Sequence, residues 1–156
     1  MNFFLFLLLF SLSSISLTSL VLPDSITEIN DRTFYHCRSL DSIYFPTGLK
    51  QIGSQAFYSC IFSSLELPDS LEVLEESAFF KCNRLKYVRL PQSVRYVGKW
   101  IFHGCNRLKV LEICHDPEFI GDWIDLDQDM LLQHYRKNLD YAKKWEPNMW
   151  YFMSLR

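Results

Sequence analysis

A repeat of about 23 residues constrains this chain more than any other feature. Prolines fall at Pro23, Pro46, Pro68 and Pro91, spaced 23, 22 and 23 residues apart. Phe34, Phe57, Phe79 and Phe102 keep the same spacing, and so do Cys37, Cys60, Cys82 and Cys105. The apolar positions Leu20, Ile43, Leu65, Val88 and Leu111 carry it into a fifth copy. Residue types with unrelated chemistry share one period, so the repeat is structural. Periods of this length mark architectures in which each copy is one layer of a stack.

The copies read LTSLVLPDSITEINDRTFYHC, LDSIYFPTGLKQIGSQAFYSC, FSSLELPDSLEVLEESAFFKC and LKYVRLPQSVRYVGKWIFHGC. A fifth begins as LKVLEI at Leu108, and the pattern is expected to end there, at Ile113. The 22-residue spacing comes from one residue missing between Cys60 and Phe62, in the link between two copies, where a stack best tolerates a change. Each copy opens with L-x-x-L-x-L, a strand whose alternate residues point inward. Proline ends it, because proline cannot donate to a central ladder. A second extended segment follows, with inward pairs Ile26/Ile29, Leu49/Ile52, Leu71/Leu74 and Val94/Val97. A tight turn or short helical piece then inserts Phe and Cys. One copy alone cannot bury both apolar edges, whereas stacked copies join them into one core at about 4.8 Å per rung.

The pattern L-x-S-L-x-L-P-D-S-[IV]-x-x-I-x-x-x-A-F-x-x-C resembles the BspA-like leucine-rich repeats, found on surface proteins of bacteria and of some parasitic protists. The match covers Leu17 to Ile113. Phe62 stands where the motif has its first leucine, and Thr33 and Ile101 replace the alanine supplied by Ala56 and Ala78. The resemblance implies a leucine-rich-repeat solenoid, β-rich, with parallel sheets joined by short turns or helical pieces. It also implies a non-enzymatic surface module that adheres to host or matrix proteins, or to another cell.

An open stack needs caps, because its end rungs expose core and strand edges. Beyond Ile113, Leu131, Tyr135, Leu139, Ala142 and Trp145 recur at steps of four, four, three and three, the stripe of an amphipathic helix. Asp125, Asp127 and Asp129 near its start and Lys143 and Lys144 near its end suit the helix dipole, and Pro147 stops it. The stretch ending at Trp145 is similar to the closing segment of some family members, with Leu139 where a tyrosine is usual. Residues 114–156 are therefore expected to form a capping α-helix and an apolar tail packed back on the domain.

At the other end, FFLFLLLF (Phe3 to Phe10) lacks charge and is followed by SLSSIS. Eight to ten apolar residues are too few for a helix to cross roughly 30 Å of hydrocarbon, which takes about 20. Their length fits the apolar core of a secretory signal peptide over residues 1–16, with small-x-small sites at Ser11-Leu12-Ser13 and Ser14-Ile15-Ser16. Only Met1 and Asn2 precede the run, so the usual basic segment is missing. An uncleaved anchor reaching Leu22 and a hydrophobic N-terminal cap are the alternatives. The cap would accompany an intracellular scaffold rather than a secreted or cell-surface protein. Membrane contact is expected only through this segment, if it is retained.

The net charge of −2 and the lack of a basic patch give no signal for nucleic acid. No phosphate loop, G-x-S-x-G or dinucleotide fingerprint occurs, and no cofactor, metal or catalytic residue is expected. The four periodic cysteines form no C-x-x-C. On neighbouring rungs their Cβ vectors run parallel, which suits side-by-side buried thiols better than a disulfide or a metal site. Cys114, His115 and Asp116 are consecutive, and neighbours in sequence usually point apart, so they make no triad. His36 and His103 belong to different columns, and His134 lies on the expected helix.

With Leu20 and its equivalents inward, Ser19/Val21, Ser42/Tyr44, Ser64/Glu66, Tyr87/Arg89 and Val110/Glu112 face outward. The candidate binding residues are Val21, Tyr44, Glu66, Tyr87, Arg89 and Glu112, on a face that five rungs extend to roughly 24 Å. Tyr and Arg are types enriched at protein-binding hot spots, so a protein partner is the expected ligand. Read without a partner, the same column is a solvated sheet face with a weak alternating charge ladder.

Overall fold

The computed structural model describes residues 17–113 and 119–120. They hold ten short strands: β1 (Ser19–Val21), β2 (Glu28–Ile29), β3 (Ser42–Tyr44), β4 (Gln51–Ile52), β5 (Ser64–Glu66), β6 (Val73–Leu74), β7 (Tyr87–Leu90), β8 (Tyr96–Val97), β9 (Val110–Ile113) and β10 (Phe119–Ile120). Odd strands open the copies and even strands follow the prolines. All pairs are parallel and join equivalent residues of successive copies, as in Leu20↔Ile43, Leu65↔Val88 and Ile52↔Leu74. The second sheet runs unbroken in the order β10-β8-β6-β4-β2.

Between the sheets lies the core that the repeat requires. Leu49, Ile52, Leu71, Leu74, Val94 and Val97 are fully buried, while Ile26 at the first rung is only partly covered. Phe34, Phe57, Phe79 and Phe102 stack with ring centroids 5.1, 5.4 and 5.8 Å apart and planes within 11° of parallel. The prolines do more than end strands. Each proline carbonyl accepts the amide three residues on, from Ile26, Leu49, Leu71 and Val94, closing a tight turn between the sheets. The hydroxyls of Ser70 and Ser93 in these turns donate to the Leu49 and Leu71 carbonyls one rung back, each at 2.6 Å.

The segment carrying Phe and Cys is a run of tight turns, and no helical piece occurs among the described residues. Its backbone explains why. Arg32, His36, Gln55, Ser59, Ser77, Lys81 and Trp100 all have φ between 55° and 60°. A left-handed residue costs roughly 1–2 kcal/mol and cannot continue a right-handed helix. In return the chain turns outward alternate amides to the next copy. Arg32, Phe34 and His36 donate to Ser54, Ala56 and Tyr58, and Gln55, Phe57 and Ser59 donate to Glu76, Ala78 and Phe80. The turns thus form a third hydrogen-bonded ladder beside the two sheets.

Two features depart from a uniform stack. The first sheet is divided, with β1 and β3 in one piece and β5, β7 and β9 in another. The break falls where one residue is missing. Full-length links close with Leu40, Leu85 and Leu108 amides on Cys37, Cys82 and Cys105 carbonyls, whereas Ile61 instead donates to Leu40 at 3.0 Å. The fifth copy also continues beyond Ile113. β10 pairs with β8 in register, Phe119↔Tyr96 and Ile120↔Val97. The expected end of the pattern at Ile113 is corrected: FIGDWI from Phe119 matches YVGKWI from Tyr96, a match obscured by Cys114 at the proline position and Pro117 at the inward Val94 position. The expected signal-peptide segment, Cys114-His115-Asp116 and the expected capping helix and tail lie outside the described residues.

Candidate functional site

The outward face of the first sheet carries every candidate binding residue. Val21 and Tyr44 are partners across β1 and β3, and are 70% and 63% exposed, the most open large apolar side chains of the described residues. Glu66↔Arg89↔Glu112 are partners across β5, β7 and β9. Tyr87 stands beside them, and its hydroxyl donates to Glu112 Oε2 at 3.0 Å. Arg89 Nη1 lies 3.7 Å from Asp69 Oδ1, an exposed pair that contributes little to stability. The six residues therefore occupy one side of the solenoid in two groups, apolar on the first two rungs and charged with one tyrosine on the last three. The division of the first sheet separates the groups.

The cysteine column is chemically quiet. Cys60, Cys82 and Cys105 donate their thiols to the carbonyls of Phe34, Phe57 and Phe79 in the preceding copy, each at 3.3 Å. Together with Cys37 they are free thiols. Burial pushes the thiols of Cys37, Cys60 and Cys82 up, away from the reactive thiolate. Among the described residues no three His, Cys, Asp or Glu side chains gather as a metal site.

A second aromatic column, overlooked in the sequence, lies one residue beyond the buried phenylalanines. Tyr35, Tyr58, Phe80 and His103 follow one another with centroids 4.8, 5.0 and 4.9 Å apart along the turn edge. His36 sits outside that column, as expected, edge-on to Tyr35 at 4.4 Å and to Tyr58 at 5.1 Å. Its Nδ1 is closed off from solvent without a hydrogen-bond partner. Burial, then the charges of Arg38 and Lys81, hold its pKa below the ordinary histidine value. The quartets FYHC, FYSC, FFKC and FHGC carried this column at the same period.

Comparison with known proteins agrees with this geometry. The profile of the BspA type leucine-rich repeat region matches residues 9–124 in six copies. A leucine-rich repeat protein from Bacteroides ovatus is similar in structure, with a TM-score of 0.58 and 30% identity over 60% of this chain and 24% of its own. The Treponema pallidum leucine-rich repeat protein gives a TM-score of 0.55 and 27% identity, over 63% of this chain and 59% of its own. A leucine-rich cell surface protein from Faecalibacterium prausnitzii gives 0.58 and 26%, over 63% and 27%. The chain thus spans from about a quarter to three-fifths of the length of these proteins. No curated protein matches.

Proposed function

Because the chain belongs to the BspA-type leucine-rich repeat family, we propose that it is a non-enzymatic recognition module that binds a protein partner on the outward face of its first sheet. The observation that carries this reading is the exposure of Val21 and Tyr44 on adjoining rungs, on the same outward side as Tyr87 and Arg89. Open tyrosine side chains on a rigid sheet lose little entropy when a partner orders them, and tyrosine and arginine dominate many interfaces. Solenoids use extended faces of this kind. We place the protein outside the cell or on its surface, with residues 1–16 as a leader and adhesion to host, matrix or cell-surface proteins as its task. The uncharged Phe3–Phe10 run and the Faecalibacterium cell surface protein support that placement.

One preparation tests both parts. The chain is expressed with its native N-terminus in a secreting cell, and protein from the medium is sequenced from its N-terminus. It is then applied to immobilised fibronectin, fibrinogen and laminin. A mature start near Ser14 or Leu17 and binding to at least one of these proteins are expected. Replacing Tyr44, Tyr87 and Arg89 together by alanine should weaken that binding at least tenfold, about 1.4 kcal/mol, with an unchanged thermal midpoint. Retention in the cytosol with Met1 intact contradicts export. Undiminished binding by the triple variant contradicts the assignment of the face.

A further inference from the structure

The missing residue between Cys60 and Phe62 leaves a notch in the turn edge. Where the first and third copies place Arg38-Ser39 and Asn83-Arg84, the second has Ile61 alone. A groove of about 430 Å³ opens there, lined by Arg38, Ser59, Ile61, Lys81, Asn83 and Asn106, with Gly104 beside them. Its polar walls are two cations, two amides and a hydroxyl, and no carboxylate lines it. The ion pairs of the described residues, Lys50–Glu72 and Arg89–Asp69, involve neither Arg38 nor Lys81. After burial, the charges of Arg38 and Lys81 are what lower the pKa of the nearby His36.

Lys81 Nζ lies over the Phe80 ring, 5.5 Å from its centroid, a contact that holds the ammonium at this edge. The backbone is committed as well: the amides of His36, Ser59 and Lys81 donate to Tyr58, Phe80 and His103 across the rungs. An acidic peptide that adds a strand by main-chain hydrogen bonds finds no free amide among these three. The side chains at the groove supply the recognition, two cations among neutral hydrogen-bonding groups. A chain that alternates anionic groups with hydroxyls is the complement.

We propose that this notch is a subsite for an acidic polysaccharide, whose carboxylate or sulfate sits between Arg38 and Lys81 while its hydroxyls meet Asn83, Asn106 and Ser59. The site is separate from the first-sheet face and does not depend on the role proposed for that face.

The test is titration of the full chain with heparin, polygalacturonate, neutral dextran and poly-glutamate at low and at physiological salt. Heparin or polygalacturonate should bind, with an affinity that falls as salt rises, and dextran should not. Binding of heparin alone identifies sulfate as the group held, and binding of both extends the site to carboxylates. Arg38→Glu with Lys81→Glu should lower the affinity at least tenfold, and Arg38→Gln with Lys81→Gln serves if charge reversal impairs folding. Inserting one serine between Ile61 and Phe62 restores the 23-residue spacing, fills the notch and should weaken binding while both cations remain. The Tyr44/Tyr87/Arg89 alanine variant should bind as the wild type does. No binding of either polysaccharide overturns the proposal, as does unchanged affinity in the folded charge variants. Equal binding of poly-glutamate at matched charge replaces it with a general polyanion surface.

Discussion

At the scale of single residues, the stack is held in register by side chains that only one or two residue types can supply. Cysteine fits its column because it is small, prefers burial and still donates to the phenylalanine carbonyl one copy back, which alanine cannot do. Glycine fits at Gly98 for a different reason. A Cβ there would stand 2.5 Å from the Glu76 amide nitrogen and 2.8 Å from the Glu75 carbonyl carbon, so adjoining rungs approach more closely than any side chain allows. Gly48 is the natural control, since its Cβ would reach only the Asp24 carbonyl oxygen, at 4.0 Å. Gly98→Ala should therefore cost about 3 kcal/mol in urea unfolding, while Gly48→Ala stays within about 0.5 kcal/mol. Equal effects at the two positions would contradict the close approach. The phenylalanine, proline and cysteine columns were legible in the sequence because their chemistry is distinctive. The left-handed positions were not, because Arg32, Gln55, Ser77 and Trp100 share a backbone conformation and nothing else.

At the scale of elements, each copy is a closed layer of two short strands and a turn run, and neighbouring layers meet through the phenylalanine stack. Phe79 is fully buried between Phe57 and Phe102, whereas Phe34 stacks on Phe57 alone among the described rings. Phe79→Ala should destabilise the chain by about 4 kcal/mol. Phe34→Ala should cost less, because its cavity lies at the end of the stack, and chemical denaturation of both variants measures the difference. A larger loss at Phe34 would mean that the first copy carries the fold. The strand order and inward pairs were readable because strand periodicity and repeat period reinforce one another. β10 was not, since Cys114 and Pro117 replace the residues by which the earlier copies are recognised. The missing residue before Phe62 was visible as a spacing of 22, but its effects needed the structure: a divided first sheet and a notch in the turn edge. The half-buried aromatic column was written in the sequence at the known period and was passed over because the neighbouring phenylalanines explain the core so fully.

At the scale of the molecule, the three ladders divide the labour. The second sheet is continuous and the turn edge is bonded from rung to rung, so the first sheet tolerates a break without loss of register. Its outward side chains are then surplus to folding, which leaves Val21, Tyr44, Tyr87 and Arg89 available to the partner proposed above. Stability in such a stack is a sum of layers and their interfaces, so surface changes on one rung should remain local. The turn segments are joined to one another by as regular a ladder as the strands are. Amide hydrogen exchange on the intact chain reads that ladder residue by residue. The amides of Arg32, Phe34, His36, Gln55, Phe57, Ser59, Ser77, Phe79 and Lys81 donate across rungs and should exchange as slowly as those of the second sheet. Rapid exchange at these positions beside protected strands would contradict the third ladder, and with it the rigid edge on which the notch depends.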